Sequence, residues 1–263
     1  MPMPDHLLLM RHGESEANVL IEKITADPTS VARADDYHDS HIRLTQKGIE
    51  QAAAAGEWLR LNGFATFDRY YVSPYARARE TAGHLGIHGK WMIDDRIREQ
   101  NWGEYNLIGM DDIERDSKRS RSLYTQSYWY WHPRGGESLS SEVRARFTRV
   151  LDGLHRDPSS KQVLLVTHGA YMQMVRFEME RMVPEVWEET WKQWSIDNGQ
   201  ILHYSRIDPE TGERSQRVEW MRSINPSDPS RSWHGGAWQK LQRQTYTDEE
   251  LLDMAARLPR MLE

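Results

Sequence analysis

The stretch HLLLMRHGES, residues 6–15, sets four apolar residues in a row and then breaks into arginine, histidine and glycine. A short apolar run ended by a turn marks a strand buried on both faces, as in the middle of a parallel sheet. QVLLVTHG, residues 162–169, has the same form, and RYYVS at 69–73 is a third candidate strand. Helix patterns lie between them. Leu44, Ile49, Ala52, Ala55 and Leu59 recur at helical spacing within 44–63, which closes on Asn62-Gly63. SPYARARETAGHLG (73–86) places Ser73 as an N-cap and Pro74 at the first helical position. Residues 137–157 and 171–182 give two more helices. Strands alternating with helices predict a doubly wound three-layer α/β/α fold with a mostly parallel central sheet.

Beyond this alternation, GQILHYSRI and SQRVEWMRSI flank the turn-rich DPETGER and read as a β-hairpin. Residues 224–237 read as a loop, and 247–258 as a last helix with Thr247 and Glu250 spaced as a capping box. The expected organisation is a catalytic domain over 1–205 and a hairpin, loop and helix extension over 206–263, packed on the same domain. Residues 101–134, polar and aromatic without a clear period, read as a cap inserted over a site.

With 263 residues the chain is long enough for a substantial core, and its 11 Trp and 11 Tyr add apolar bulk with polar edges. A formal charge of -6 provides no basic field for nucleic acid or an anionic membrane, so neither is an expected partner. An anion site must therefore be built locally. Cysteine is absent, which excludes disulfides, thiolate metal sites and a cysteine nucleophile. No signal-peptide pattern opens the chain, and no stretch is long enough to span a membrane; a soluble, cytoplasmic protein is the expectation.

In open α/β sheets, ligands bind beyond the carboxyl ends of the strands. Both HG turns fall there, so His12 and His168 should emerge at one edge of the sheet. Arg77 falls in the first turn of the helix begun at Ser73-Pro74, where the macrodipole disfavours a cation. Such a placement points to an anion shared by the arginine and the helix N-terminus. Arg79, two residues on, reads as surface. A phosphoryl group suits the set, because its transition state spreads negative charge over oxygens that fixed donors can hold. Arg11 and Arg77 can supply forked hydrogen bonds. A neutral histidine can attack phosphorus while a protonated one steadies the oxygens.

The segment LLLMRHGESEAN resembles the signature of the histidine phosphatase superfamily, which also contains the cofactor-dependent phosphoglycerate mutases. The resemblance continues, in the family's order, through LTQKGIEQA, SPYARARET, IREQNWGE, GGES and LLVTHGA, covering roughly residues 5–200. It implies that His12 is the nucleophile, that Arg11, Arg77, His168 and Gly169 hold the phosphoryl oxygens, and that Asn18 adds a phosphate contact. Glu99 matches the acid that protonates the leaving oxygen, a role that needs a carboxyl able to keep a proton. Glu14 and Glu137 read instead as helix-start residues. No cofactor is implied. A metal site on His12, His168 and Glu99 is the weakest reading, since two arginines aimed at one pocket repel a divalent cation.

Residues 104–134 lack the usual sequence of the classical mutases, which favours a metal-independent phosphomonoesterase of the histidine acid type. A mutase and a non-catalytic phospho-ligand binder are the alternatives. The expected partner is a small phosphorylated substrate, with a homodimer possible through the C-terminal extension. Specificity is expected from the cap aromatics Tyr124, Tyr128, Trp129, Tyr130 and Trp131, at least half of which should serve as packing. Exposed Trp233 and Trp238 would indicate an interface, buried ones local packing.

Overall fold

A computed structural model of the chain describes residues 3–26, 38–106, 118–157, 159–258 and 260. Seven strands form one sheet: β1 (His6–Arg11), β2 (Arg69–Val72), β3 (Trp91–Ile93), β4 (Gln162–Thr167), β5 (Ile201–Ser205), β6 (Trp220–Ile224) and β7 (Gln239–Lys240). Their order is β3-β2-β4-β1-β5-β6-β7. The first four strands of that order pair in parallel, whereas β5, β6 and β7 join by antiparallel pairings. The sheet is therefore mixed, with a parallel block carrying both HG turns. The expected hairpin is present as β5 and β6, and it extends this same sheet.

Alternate residues of the central strands bury against two helical layers. Leu8, Met10, Leu164 and Val166 face α2 (Gln46–Leu61) and α3 (Ala76–His84) through Ala55, Leu59, Ala78 and Ala82. Leu7, Leu9, Val163 and Leu165 face α5 (Arg144–Arg156) and α6 (Gly169–Glu180) through Phe147, Val150, Met172 and Val175. Burial of both faces explains why β1 and β4 read as unbroken apolar runs. The remaining helices are α1 (Glu16–Ala26), α4 (Lys118–Gln126), α7 (Pro184–Gln193) and α8 (Asp248–Ala256). Among the described residues, no helix is long and apolar enough to cross a membrane.

Helix ends follow local chemistry. Thr45 caps α2 by accepting from Gly48 N, and Thr247 and Glu250 form the expected capping box on α8. At α3 the expectation fails: the helix starts at Ala76 with Tyr75 as N-cap, and no side chain caps it. Ser73 has gone elsewhere, as shown below.

Part of the expected cap, residues 107–117, lies outside the described residues. Of its rings, Tyr128, Trp129 and Trp131 are buried and Tyr130 is exposed. Trp129 stacks on Phe177, and Tyr128 on Trp187 and Trp191. These three rings pack in the core, in line with the packing role expected of at least half the set. Trp233 is buried, and Trp238 packs on His203 and under Arg222. Both serve local packing.

Candidate active site

The register of the two central strands assembles the site. Met10 lies opposite Val166 and Arg11 opposite Thr167, so His12 and His168 leave the sheet at the same edge. His12 N donates to Thr167 O at 2.9 Å, and the two imidazole centroids stand 5.0 Å apart. Both side chains are buried. Gly13 is required by close packing: a Cβ there would sit 2.2 Å from Gly48 O of α2. Its N–H donates to Thr81 Oγ1 at 3.0 Å.

The contacts of His12 fix its tautomer. Nδ1 lies 2.7 Å from Gly13 O, and because a carbonyl can only accept, Nδ1 carries the proton. Nε2 then presents a lone pair, which accepts from Arg77 Nε at 3.2 Å. Burial first, then the charges of Arg77 and Arg11, hold His12 well below the ordinary histidine value. The ring is thereby kept neutral and nucleophilic.

His168 is also neutral. Burial, Arg77, His12 and Arg11 depress it well below the usual value, which favours the uncharged ring. Its Nε2 shares a 2.7 Å hydrogen bond with Ser73 Oγ, and its Nδ1 is buried without a partner. Ser73, expected to cap α3, instead orients His168 from the end of β2. Gly169 opens α6 directly behind it, against the Arg11 side chain: a Cβ there would lie 3.4 Å from Arg11 Nε.

Arg77, the second residue of α3, is 4% exposed. Besides His12 it meets Asp39, donating from Nη1 to Oδ1 (2.9 Å) and the backbone O (2.7 Å), and from Nη2 to Oδ2 (3.0 Å). The anion expected beside Arg77 is therefore held from within the chain on one edge of the guanidinium. Arg11 donates from Nη1 to Ile196 O at 2.6 Å, while its Nε is buried without a partner. Asn18 Oδ1 accepts from Ser15 N, Ser15 Oγ and Asn198 Nδ2, which anchors its amide at the start of α1. Arg79 is exposed, as expected of a surface residue.

Glu99 enters from the segment after β3. Burial raises its carboxyl above the usual range and Asp39 adds to this, against Gln100 N–H, Arg77 and Arg11. The segment that presents it is clamped by Glu137, which accepts from Arg98 Nη1 (2.7 Å) and Nη2 (2.8 Å), Arg146 Nη2 (3.1 Å) and Asn101 N (3.0 Å). Arg146 also donates to the backbone oxygens of Arg96 and Arg98. Glu137 is thus a hub under Glu99 and not a helix-start residue. Ser138 and Glu142 cap that helix instead. Glu14 likewise serves another helix, accepting from Thr45 Oγ1 and Lys47 at the start of α2.

A cavity of about 430 Å³ opens beside Asp39 and is lined by Tyr75, Arg79, Arg98, Gln100 and Trp102 among others. Arg11 and Asn18 line a wider cleft of about 940 Å³.

The buried histidines set a pH dependence. His203 is also depressed well below the usual value by burial, with Arg222 and His6 adding to the effect. In the unfolded chain, histidines take up protons below about pH 6.5. The native His12, His168 and His203 resist protonation there, so the unfolded state binds more protons and stability must fall as pH drops. Each contributes up to about 1.4 kcal/mol per pH unit until its native pKa is reached. His6, lowered by burial, acts with them; Glu99 acts in the opposite sense, one group against four. A melting temperature that declines between pH 7 and 5.5 is expected; a flat profile would contradict the neutral assignments.

Against known proteins, residues 7–215 match the model of the histidine phosphatase superfamily (branch 1). The chain is 30% identical over 192 residues to phosphoglycerate mutase-like protein AT74H of Arabidopsis thaliana, covering 64% of this chain and 63% of that protein. It thus spans less than two thirds of that relative's length. It is 28% identical to a 2,3-bisphosphoglycerate-dependent phosphoglycerate mutase of Parvibaculum lavamentivorans, over 70% of this chain and 83% of that one. The alpha-ribazole phosphatase of Shigella flexneri shares its fold, with a TM-score of 0.60 at 21% identity over 81% of this chain and 95% of that chain. The chain belongs to the histidine phosphatase superfamily.

Proposed function

We propose that the protein is a metal-independent phosphomonoesterase working through a phosphohistidine on His12. The observation that carries this reading is the His12 tautomer: Nδ1–H on Gly13 O, and the Nε2 lone pair facing Arg77. Nε2 exchanges its hydrogen bond from Arg77 Nε–H for a bond to phosphorus, that N–H passing to a phosphoryl oxygen; the bond from phosphorus to the leaving oxygen breaks, and that oxygen takes the proton held by Glu99. The ring becomes cationic, and its Nδ1–H remains on Gly13 O. Water then attacks the phosphohistidine, gives its proton to the Glu99 carboxylate and releases phosphate. Arg11, Arg77 and His168, with Asn18 and the Gly169 N–H, hold the phosphoryl oxygens as charge redistributes. The arginines supply the positive charge a metal would otherwise bring.

A small substrate suits the 430 Å³ cavity beside Asp39, whose lining mixes the rings of Tyr75 and Trp102 with polar groups. The absence of cysteine fits a cytoplasmic setting. The second reading, phosphoryl transfer of the mutase type, is favoured by the 28% identity to a phosphoglycerate mutase. A hydrolysis panel of phosphomonoesters, run beside 3-phosphoglycerate isomerisation, decides between them. Hydrolysis should dominate; fast isomerisation with weak hydrolysis would reverse the order. In the same assays Glu99→Gln should slow alkyl phosphates by about 10²–10⁴-fold. Nitrophenyl phosphate, whose leaving group needs no proton, should suffer far less. Equal losses on both would remove Glu99 from the proton-donor role.

A further inference from the structure

We propose that Asp39 is a positioning residue for phosphoryl transfer: it holds one edge of the Arg77 guanidinium so that the other edge faces Nε2 of His12. The proposal rests on the reading of His12 as the nucleophile.

A guanidinium carries five N–H donors in one plane. Asp39 takes three of Arg77's, two from Nη1 and one from Nη2, through both carboxylate oxygens and its backbone carbonyl. The Nη1–Nη2 end of the fork is thereby used. Nε–H points at His12 Nε2, 3.2 Å away, and the remaining Nη2 hydrogen lies on the same side as Nε–H. Together Nε–H, now on His12 Nε2, and that Nη2 hydrogen make a two-donor edge at the place where phosphorus would join His12. An arginine held at one edge loses less freedom when it grips a transition state than one that must first be ordered.

Asp39 is itself held for the task. It opens a short 3₁₀ turn, Asp39–His41, capped by the His38 side chain. A few residues on, Leu44 N and the Arg43 guanidinium meet Glu80, three residues after Arg77 on α3. The segment is therefore fastened to α3 at two points one helical turn apart. The Arg77 and Asp39 side chains are only 5% and 13% exposed, so their pairing is shielded from water and unlike a surface ion pair. The same negative charge helps Glu99 keep its proton, against Arg77 and Arg11.

The competing role is a plug, in which Asp39 sits where phosphoryl oxygens belong and must leave. The two roles give opposite results for Asp39→Asn, which keeps the side-chain shape and loses the charge. With the full chain, we expect Asp39→Asn and Asp39→Ala to lower kcat on nitrophenyl phosphate by about 10²-fold, as for loss of one aimed donor. Inhibition by orthovanadate should weaken by a similar factor. The alkaline limb of the kcat profile on an alkyl phosphate should move to lower pH, because Glu99 loses a neighbouring negative charge. Tighter vanadate inhibition with a lower KM would establish the plug and overturn the proposal. So would an unchanged kcat, vanadate affinity and pH profile. Melting temperatures identify a variant that merely fails to fold, and Asp39→Asn guards against that outcome. Trapping the wild-type phosphohistidine separates the two levels: no adduct on His12 removes the underlying reading, whereas an adduct with Asp39→Asn unaffected removes only the role of Asp39.

Discussion

Replacing His12 with alanine is expected to eliminate turnover, with a loss in kcat of about 10⁴–10⁶-fold. The size follows from the role: without Nε2 no covalent intermediate forms, and what remains is a pocket of donors with nothing to attack phosphorus. Arg77 would also lose the acceptor for its Nε–H, so its fork would face an empty space lined by cations. Incubation with a labelled phosphomonoester should leave an acid-labile, base-stable adduct on the wild-type chain and none on His12→Ala. An adduct that persists in the variant would sink the assignment. The fold should survive, because the backbone link from His12 N to Thr167 O and the packing of Gly13 on α2 do not depend on the imidazole. Stability at pH 6 is an internal check: one histidine fewer resists protonation, so the decline with falling pH should be shallower.

Glu137→Ala is expected to be the most damaging change to the scaffold of the site. Burial raises the Glu137 carboxyl, but the hydrogen bonds from Arg98 and the charge of Arg146 outweigh it and hold it below the usual carboxylate range. Removal leaves Arg146, 8% exposed, without its carboxylate and frees the Arg98 fork. Breaking a buried pair from one side costs about 3–5 kcal/mol, since the orphaned charge stays desolvated. For a chain of this size that corresponds to a melting temperature lower by about 6–20 °C. Activity should fall as well, because the clamped segment 98–101 presents Glu99. Slow leaving groups should be hit hardest. A melting temperature within a degree or two of wild type would show that water already screens this network.

Much of the candidate site was legible because it sits on elements whose pattern is strong. β1 and β4 are continuous apolar runs, and a histidine following each run has only one edge of a parallel pair to occupy. Arg77 stood out because a cation at a helix N-terminus needs a compensating anion. The partners that hold these residues were not legible. Asp39 lies 38 positions from Arg77, Ser73 lies 95 from His168, and Glu137 lies 39 from Arg98. No local period links such pairs. Their neighbours in sequence suggest an N-cap role for Ser73 and a helix-start role for Glu137, and tertiary contacts take both residues elsewhere. β3 and β7, three and two residues long, are too short to show an alternation, and β3 is partly exposed at the sheet edge.

By itself the sequence determined the α/β layering, the edge of the sheet where the candidate site lies, and the identity of the histidines and arginines placed there. These depend on apolar periodicity and on residue types beside strand and helix ends, which are properties of neighbours along the chain. The tertiary structure alone decided the protonation of those residues and the direction in which they point. The Gly13 carbonyl assigns the His12 tautomer, burial among cations keeps both site histidines neutral, and Asp39 sets the face that Arg77 offers. Each of these depends on distance and desolvation between groups that only folding brings together.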